Sequence, residues 1–343
     1  MKNNSLSLID VATKFATEEQ CIAYLEAMRW PEGVECVACE SKKISKFTTK
    51  EGTRKRKNPK TGAEEVKTVP ARHLYQCLEC GRQFTAGVGT IFNDTHLPLN
   101  KWFLATALML NAKKGLSAKQ MQRDLDVNYR TAWYLCHRIR EAMTGSSPSI
   151  FKGTVEADAT FIGGKFDGRR KRAKYGKQPV FGIVQRGTDG KSSKVYATPV
   201  LSEIKHQVLP IISAKVHPDA DLYTDDHAAY RNLHKTRSHS IVIHTKKEYA
   251  NGDVHSNSVE NFWSLFKRGL IGQYHQISVK HLQRYLEEFT FRFNNRDTED
   301  LFALTVINLL TGATLEYKKL IADAEGDPYA FGRAARPKDD QPF

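Results

Sequence analysis

Two C-x-x-C pairs constrain the N-terminal part of this chain more than any other feature. Cys36 and Cys39 form the first pair, and Cys77 and Cys80 form the second. Four thiolates at this spacing suit a tetrahedral Zn²⁺ with metal–sulfur distances of about 2.3 Å, and a site closed by four sulfurs is structural rather than catalytic. Disulfides fit less well, because the sequence does not start like an export signal. We therefore expect a zinc ribbon over residues 31–95.

A basic insertion separates the two cysteine pairs. It covers residues 50–67, KEGTRKRKNPKTGAEEVK, and predicts an extended hairpin or a mobile loop. The insertion is either an arm that contacts DNA or a solvated excursion, and the sequence leaves both open. Residues 1–30 predict a helical segment. Cys21 and Cys136 lie in helical patterns and are expected to be core thiols.

The charge of the chain favours an acidic polymer as partner. The 343 residues include 52 Lys and Arg against 38 Asp and Glu, which gives a net charge of +14 and a pI near 9.4. The basic residues gather in blocks, which favours such a partner, and a basic soluble enzyme without one is the alternative. The length predicts two or three domains. No stretch approaches the roughly 18 apolar residues of a membrane helix, so we expect a cytoplasmic protein with no membrane partner.

Residues 96–145 predict a helix-turn-helix. A helix from Leu99 to about Lys114 precedes a short helix capped by Ser117, a turn over residues 126–128, and a helix that starts after Asn128. The last helix of such a unit can enter a major groove, whereas the alternative is a plain helical hairpin in a bundle. Its inward face is predicted to contain Ala132, Leu135, Cys136, Ile139 and Met143. Its DNA-facing candidates are Arg130, Thr131, Tyr134, His137 and Arg138.

Two acids lie at strand positions that suit a metal site. Side chains alternate along the predicted strand at residues 155–162, so Glu156, Asp158 and Thr160 share one face. Asp158 would sit in a mostly apolar segment, where an unpaired charge is costly. Residues 220–226 predict a second strand that ends in two acids, where a side chain can point into a crevice. One acid suffices there, and we favour Asp225.

Residues 255–269, HSNSVENFWSLFKRG, segregate into two faces when wound as a helix. The polar stripe consists of Asn257, Glu260, Ser264 and Lys267. The apolar stripe consists of Val259, Phe262, Trp263, Phe266 and Leu270. Two strand acids and one helix acid are the set that a two-metal phosphoryl-transfer site needs, because two Mg²⁺ about 3.5–4 Å apart share carboxylate ligands.

The strand-rich region has the element order of a ribonuclease-H-like α/β fold. Strands at residues 179–186 and 194–200 follow the Asp158 strand, and a helix at 203–216 precedes the Asp225 strand. Another helix and a strand at 240–245 come next. A basic loop at residues 165–177, KFDGRRKRAKYGK, either contacts phosphates or is only solvated, and its DNA-binding candidates are Arg169, Arg170, Lys171 and Arg172. This catalytic domain would cover residues 150–315, and a partly disordered tail residues 316–343.

Several segments together resemble the bacterial insertion-sequence transposases of the ISXO2-like type, within the DDE transposase superfamily. They are the cysteine pairs with GTIFNDTHLPLNKWFLA, the helix-turn-helix, VEADATFIGGK, YTDDHAAY, HSNSVENFWSLFKRGLIGQYHQIS and KHLQRYLEEFTFRFNNR. The resemblance covers roughly residues 15–312 in family order. It implies that a homo-oligomer on double-stranded DNA binds terminal inverted repeats and cuts and joins DNA with Mg²⁺ or Mn²⁺. It also implies a nucleoid-associated bacterial protein.

The resemblance assigns the first two metal-binding acids to Asp158 and Asp225. It places the third position within residues 257–260, followed by Lys267 as the basic residue. Asn257 and Glu260 compete for that position, because some relatives have asparagine there. Both lie on one helix face, and glutamate is the better Mg²⁺ ligand by hardness and charge.

One position departs from the family pattern. Relatives commonly have an acid directly after the first Asp, whereas this chain has Ala159. The side chain at this position faces away from Asp158 in the predicted strand, so the change affects packing more than chemistry.

Two other functions remain open at this stage. A DNA-binding regulator with a catalytically decayed nuclease-like domain would use the N-terminal half alone. A metal hydrolase could use His227, His244 and His255, although these histidines lack the H-x-x-x-H or H-x-H spacing of metal ligands.

Overall fold

The computed structural model describes seven stretches of the chain, which are residues 6–57, 62–69, 73–163, 177–188, 190–242, 254–312 and 314–322. These residues form two compact units, which are described one at a time. The first unit comprises Leu8–Leu104 and Ala303–Leu315. The second comprises Ala105–Phe302 together with residues 6–7 and 316–322. Within the described stretches, every helix is too short or too polar to cross a bilayer.

The first unit begins with two helices, α1 (Leu8–Lys14) and α2 (Glu18–Arg29). A capping box starts α2, because the Thr17 hydroxyl accepts a hydrogen bond from the Gln20 N–H at 3.3 Å while the Gln20 side chain accepts the Thr17 N–H at 3.0 Å. Cys21 is fully buried on this helix, which confirms the predicted core thiol.

Two separate antiparallel sheets follow in the first unit. Strands β1 (Ile44–Thr48), β4 (His73–Cys77) and β5 (Gln83–Phe84) pair in the order β1-β4-β5. Strands β2 (Gly52–Lys57) and β3 (Glu64–Val69) form a two-stranded ribbon of their own. The described part of the basic insertion is therefore a hairpin, and its contact with DNA stays a prediction.

Helix α3 (Leu99–Asn111) contains the boundary between the units, and a helical hairpin follows it where the sequence predicts a helix-turn-helix. The hairpin consists of α4 (Ala118–Leu125) and α5 (Tyr129–Glu141). Ser117 accepts the Gln120 N–H at 3.2 Å, and Asn128 accepts the Thr131 N–H at 2.8 Å. These two N-caps confirm the predicted helix starts and the turn between them.

A five-stranded mixed sheet forms the centre of the second unit. Its strands are β6 (Thr154–Ile162), β7 (Gln178–Gln185), β8 (Lys194–Pro199), β9 (Asp221–Asp225) and β10 (His239–Val242). The order across the sheet is β10-β9-β6-β7-β8. Strands β6, β7 and β8 are antiparallel neighbours, whereas β9 runs parallel to both β6 and β10. Strand β6 is therefore central, and β9 lies directly beside it.

Helices cover both faces of this sheet. Val155 and Ala157 of β6 share one core with Val208 and Ile212 of α6 (Lys205–Lys215). The opposite core joins β7 and β8 to α7 (Asn257–Gly269) and α8 (Val279–Asn294). Because side chains alternate along a strand, Glu156, Asp158 and Thr160 lie on the face that α7 covers.

A buried ionic cluster joins the helical hairpin to α8. The carboxylate of Glu288, which is 0% exposed, accepts hydrogen bonds from Arg140 at 2.7 Å, Arg292 at 2.5 Å and the Tyr274 hydroxyl at 2.9 Å. Breaking one partner of such a buried pair costs about 3–5 kcal/mol. The hairpin and the sheet thus belong to one compact unit, whereas the sequence predicted residues 96–145 as a region of their own.

The segment after β9 differs from the prediction. Instead of the expected helix, it forms turns and a short 3-10 helix at Leu233–Lys235. The carboxylate of Asp225 accepts the His227 N–H at 3.1 Å, which turns the chain at once. The predicted strand at 240–245 starts at His239, and its last residues lie outside the described stretches. Helices α9 (Leu301–Thr311) and α10 (Tyr317–Ile321) complete the described chain.

Candidate active site

Asp158 lies in the middle of β6, opposite Gly182 of β7. Its Oδ2 accepts a hydrogen bond from the indole Nε1 of Trp263 at 3.0 Å. A Cβ atom at Gly182 would lie only 2.4 Å from the Trp263 ring, so the indole can occupy this place only because residue 182 has no side chain. Gly182 therefore leaves the space in which Trp263 can lie and orient the Asp158 carboxylate.

Burial and neighbouring carboxylates raise the pKa of Asp158 from 3.8 to about 7. Burial is the largest cause, repulsion from Asp225 and then Glu203 follows, and Glu260 adds a smaller contribution. Crowded carboxylates destabilise one another's charged forms, and a divalent cation relieves that repulsion. A carboxyl perturbed in this way is typical of functional sites.

Helix α7 has the two faces that the sequence predicts. Its polar side chains Asn257, Glu260, Ser264 and Lys267 are exposed, and its apolar side chains Val259, Phe262, Trp263 and Phe266 are buried. The Ser256 hydroxyl donates a hydrogen bond to Glu260 Oε1 at 2.8 Å, which holds the carboxylate near the start of the helix.

A cavity of about 390 Å³ brings the helix acid and the strand acid together. It is lined by Asp158, Thr160, Glu260, Trp263, Ser264, Lys267, Arg268 and Ile271. Two carboxylates and two cationic side chains therefore face one space, a combination that suits a metal ion and a phosphate group together.

The end of β9 supplies a further acid at this site. Asp225 is partly buried, whereas Asp226 is exposed. Asp225 is also the member of this pair whose repulsion raises the pKa of Asp158. These observations favour Asp225 over Asp226, as the sequence analysis does.

The acids approach one another without meeting at one point. Within the described stretches, the four ribbon cysteines are the only group of three or more His, Cys, Asp or Glu side chains whose ligand atoms lie within 4.8 Å of one another. Ligands of two ions about 3.5–4 Å apart spread more widely than ligands of one ion. Hard carboxylate oxygens are the donors that Mg²⁺ and Mn²⁺ prefer, so this set fits those metals chemically.

Glu203 is an acid near the site that the sequence analysis did not select. It lies just before α6, where its carboxylate accepts a hydrogen bond from the Tyr230 hydroxyl at 3.1 Å and lies 3.7 Å from His227 Nδ1. Burial raises the pKa of Glu203, and Asp225 raises it further. No sequence motif marks this residue, because it reaches the site through the return of the chain between β8 and α6.

The four ribbon cysteines form a compact cluster in the first unit. Their sulfur atoms all lie within 4.8 Å of one another, with Cys36–Cys80 and Cys39–Cys77 separations of 3.6 Å. The backbone N–H of Cys80 lowers the pKa of the Cys77 thiol to about 6, which favours the thiolate that zinc requires. The arrangement fits the predicted structural Zn²⁺.

The predicted DNA-facing surface of α5 is only partly exposed. Arg130 is exposed, and Thr131 and Tyr134 are partly exposed. The outward placement of His137 and Arg138 was wrong, because these side chains are 0% and 6% exposed. His137 contacts the rings of His281 and Tyr285 on α8. Burial lowers the pKa of His137 and keeps it neutral.

Helix α10 covers part of the remaining surface. The Tyr317 ring lies 4.2 Å from the Arg130 guanidinium, and its centroid lies 5.4 Å from that of Tyr134. The other basic candidates, Arg169, Arg170, Lys171 and Arg172, lie outside the described residues, as does His244.

Comparisons with known proteins associate both halves of the chain with mobile elements. Residues 150–294 match the ISXO2-like transposase domain, and residues 16–83 match the transposase zinc-ribbon domain. An "uncharacterized protein in transposable element ISH50" of Halobacterium salinarum is 27% identical over 297 residues, covering 81% of this chain and 91% of that protein. An "uncharacterized transposase-like protein" of Haemophilus influenzae is 32% identical over 111 residues, covering 32% of this chain and 89% of that protein.

One solved structure also aligns with this chain. It is a chain from a simian T-cell lymphotropic virus intasome in complex with PP2A regulatory subunit B56 gamma, with 14% identity over 48% of this chain and 63% of that one. Its TM-score of 0.26 is too low to support any structural argument.

Proposed function

Since this chain belongs to the ISXO2-like transposases, with a transposase zinc ribbon and a transposase domain, we propose that it cuts and joins DNA at the ends of an insertion sequence. Asp158, Asp225 and Glu260 would hold two Mg²⁺ or Mn²⁺ ions, with Asn257 as a supporting ligand. The observation that carries the proposal is the cavity that Asp158 shares with Glu260 and Lys267, where burial, and after it three neighbouring acids, raise the pKa of Asp158 to about 7.

The sheet topology supports a ribonuclease-H-like assignment for the catalytic region. Three antiparallel strands are followed by two parallel ones, and the central strand carries Asp158. Asp225 ends the neighbouring strand, where ligand-binding residues commonly lie in open α/β sheets.

Each group of the site has a distinct task in this proposal. Bound metal ions would supply Lewis-acid activation of the attacking oxygen and stabilisation of the leaving oxygen. The Trp263 N–H orients the Asp158 carboxylate, and Ser256 orients that of Glu260. Lys267, on the cavity wall, would neutralise the phosphate charge that the acids otherwise repel.

Recognition of the terminal inverted repeats would fall to the zinc ribbon and the α4–α5 hairpin. Arg130, Thr131 and Tyr134 remain the candidates on α5, because their side chains are at least partly exposed. The net charge of +14 supports binding to double-stranded DNA through its phosphates. A homo-oligomer would bring two element ends together.

Cleavage of a labelled element end tests this function. Zinc-loaded full-length protein would be mixed with DNA carrying the inverted repeat that flanks its coding sequence, with and without Mg²⁺. We expect Mg²⁺-dependent cleavage and strand transfer by the wild type. Asp158→Asn should abolish cleavage and retain binding, whereas Asp219→Asn, at a side chain 91% exposed, should leave both unchanged.

Two results would contradict the proposal. If the wild type binds end DNA but neither cleaves it nor nicks supercoiled plasmid, the result would favour a DNA-binding regulator with a decayed nuclease-like domain. Normal Mg²⁺-dependent cleavage by Asp158→Asn would exclude the assigned site.

A further inference from the structure

Glu156 is a wholly buried acid two residues before Asp158 on the same face of β6. Its side chain is 0% exposed. Burying an ionised carboxylate is costly unless charges and hydrogen bonds surround it. The surrounding groups therefore indicate what this residue does.

The Glu156 carboxylate joins two elements that carry the site. Its Oε2 accepts the backbone N–H groups of Ser258 at 2.8 Å and Val259 at 3.0 Å, which belong to the first turn of α7. Its Oε1 accepts the Arg186 Nε–H at 2.6 Å. The first N–H groups of a helix lack partners within the helix and carry partial positive charge. Glu156, which lies on β6, therefore caps the N-terminus of α7.

The residue that normally caps such a helix does not do so here. Ser256 occupies the N-cap position of α7, but its side chain makes no capping hydrogen bond. Its hydroxyl donates instead to the Glu260 carboxylate. Ser256 therefore orients the Glu260 carboxylate, the candidate metal ligand, while Glu156 caps α7.

A second contact fixes the same helix to the same strand. The Trp263 indole N–H donates a hydrogen bond to the Asp158 carboxylate. Trp263 lies five residues after Ser258 along α7, and Asp158 lies two residues after Glu156 along β6. Five helical residues rise about 7.5 Å, and two strand residues rise about 6.7 Å. The two anchors thus match in spacing, and Glu260 lies between them along the helix.

Arg186 extends this anchor to the chain that enters α7. Its Nη2 donates to the His255 carbonyl oxygen at 2.8 Å and contacts His255 Nδ1 at the same distance. Its guanidinium also lies 5.0 Å from the Tyr223 ring of β9. One ion pair therefore contacts β6, the end of β7, β9 and the start of α7.

We propose that Glu156 is a positioning residue that sets the register of α7 on β6 and so presents Glu260 to Asp158. It contacts neither the metal ions nor DNA; it acts through the helix that carries the third acid. This inference rests on the proposed two-metal function.

The test compares Glu156→Gln with Glu288→Gln. Both substitutions remove a charge from a side chain that is 0% exposed and paired with arginine, but only Glu156 contacts α7 at its first turn. We expect Glu156→Gln to slow end cleavage about 10–100-fold, to weaken Mn²⁺ binding measured by EPR by a similar factor, and to raise the Mg²⁺ requirement. Binding to end DNA should not change.

Two further measurements separate positioning from general stability. Amide exchange in residues 256–262 should accelerate in Glu156→Gln and stay at the wild-type rate in Glu288→Gln. The double variant Glu156→Gln/Arg186→Met removes the unpaired charge together with the Arg186 contacts to His255, so it should fold normally while the losses of cleavage rate and Mn²⁺ affinity persist. It also serves if the single variant folds poorly.

The outcomes are distinguishable. Wild-type cleavage and Mn²⁺ affinity in Glu156→Gln would overturn the inference, as would equal losses in both single variants without an exchange change at α7. If the wild type itself does not cleave, the proposed function fails, and amide exchange with Mn²⁺ affinity still decides whether Glu156 positions α7.

Discussion

Replacing Asp158 with asparagine should stabilise the protein while abolishing its activity. The pKa of about 7 in the folded chain, against 3.8 for an ordinary aspartate, means that folding disfavours the charged carboxylate. At about 1.4 kcal/mol per pH unit, the penalty above pH 7 reaches about 4 kcal/mol, and partial solvent screening lowers it to about 2–4 kcal/mol. Asparagine keeps an oxygen for the Trp263 N–H and has no charge.

The sign of the pH dependence follows from linkage. Because the folded pKa lies above the unfolded value, the penalty is absent below pH 3.8, grows between the two pKa values and is complete above pH 7. The stability advantage of Asp158→Asn should therefore be greatest at pH 8 and less than half as large at pH 5. Added Mg²⁺ should reduce the advantage, because metal binding stabilises only the wild type.

Calorimetric unfolding of zinc-loaded protein without added Mg²⁺ would measure this effect. We expect the transition of the sheet-bearing unit to rise by about 5 °C or more at pH 8 in Asp158→Asn, and to stay unchanged in the exposed control Asp219→Asn. Equal or lower stability of Asp158→Asn at pH 8, or an advantage independent of pH, would refute the reasoning that burial and neighbouring carboxylates disfavour the ionised Asp158 side chain.

Three other substitutions test separate parts of the molecule. Gly182→Val should displace the Trp263 indole, destabilise the protein by about 1–3 kcal/mol in urea unfolding and reduce the rate of end cleavage. An unchanged cleavage rate would exclude a role of the indole in orienting Asp158. Cys77→Ser should release zinc and unfold the ribbon, which metal analysis and limited proteolysis would detect; a zinc content equal to wild type would contradict the four-sulfur site. Tyr317→Ala should uncover Arg130 and tighten binding to end DNA in fluorescence anisotropy; weaker binding would mean that Tyr317 itself contacts DNA.

The sequence predicts those parts of the site that local periodicity controls. The alternation along β6 correctly separates Asp158 from the apolar face, and the stripes of α7 correctly separate Glu260 from Trp263. The caps at Ser117 and Asn128 likewise mark the helix starts, because capping depends on neighbouring residues alone.

Local sequence patterns could not predict the contacts between segments that lie far apart along the chain. The outward orientation of His137 and Arg138 was wrong. His137 is buried because α5 packs against α8, which lies far along the chain. The capping of α7 by Glu156 was not predicted for the same reason, since 102 residues separate Glu156 from Ser258. Glu203 likewise reaches the site only through the fold.

The central claim is that Asp158, Asp225 and Glu260 hold a pair of divalent ions. The most direct test is anomalous diffraction from crystals of the complex with end DNA grown in Mn²⁺. We predict two Mn²⁺ peaks about 3.5–4 Å apart, coordinated by these three carboxylates and a DNA phosphate. Well-ordered DNA with no Mn²⁺ at these side chains, or with Mn²⁺ bound by other residues, would contradict the claim.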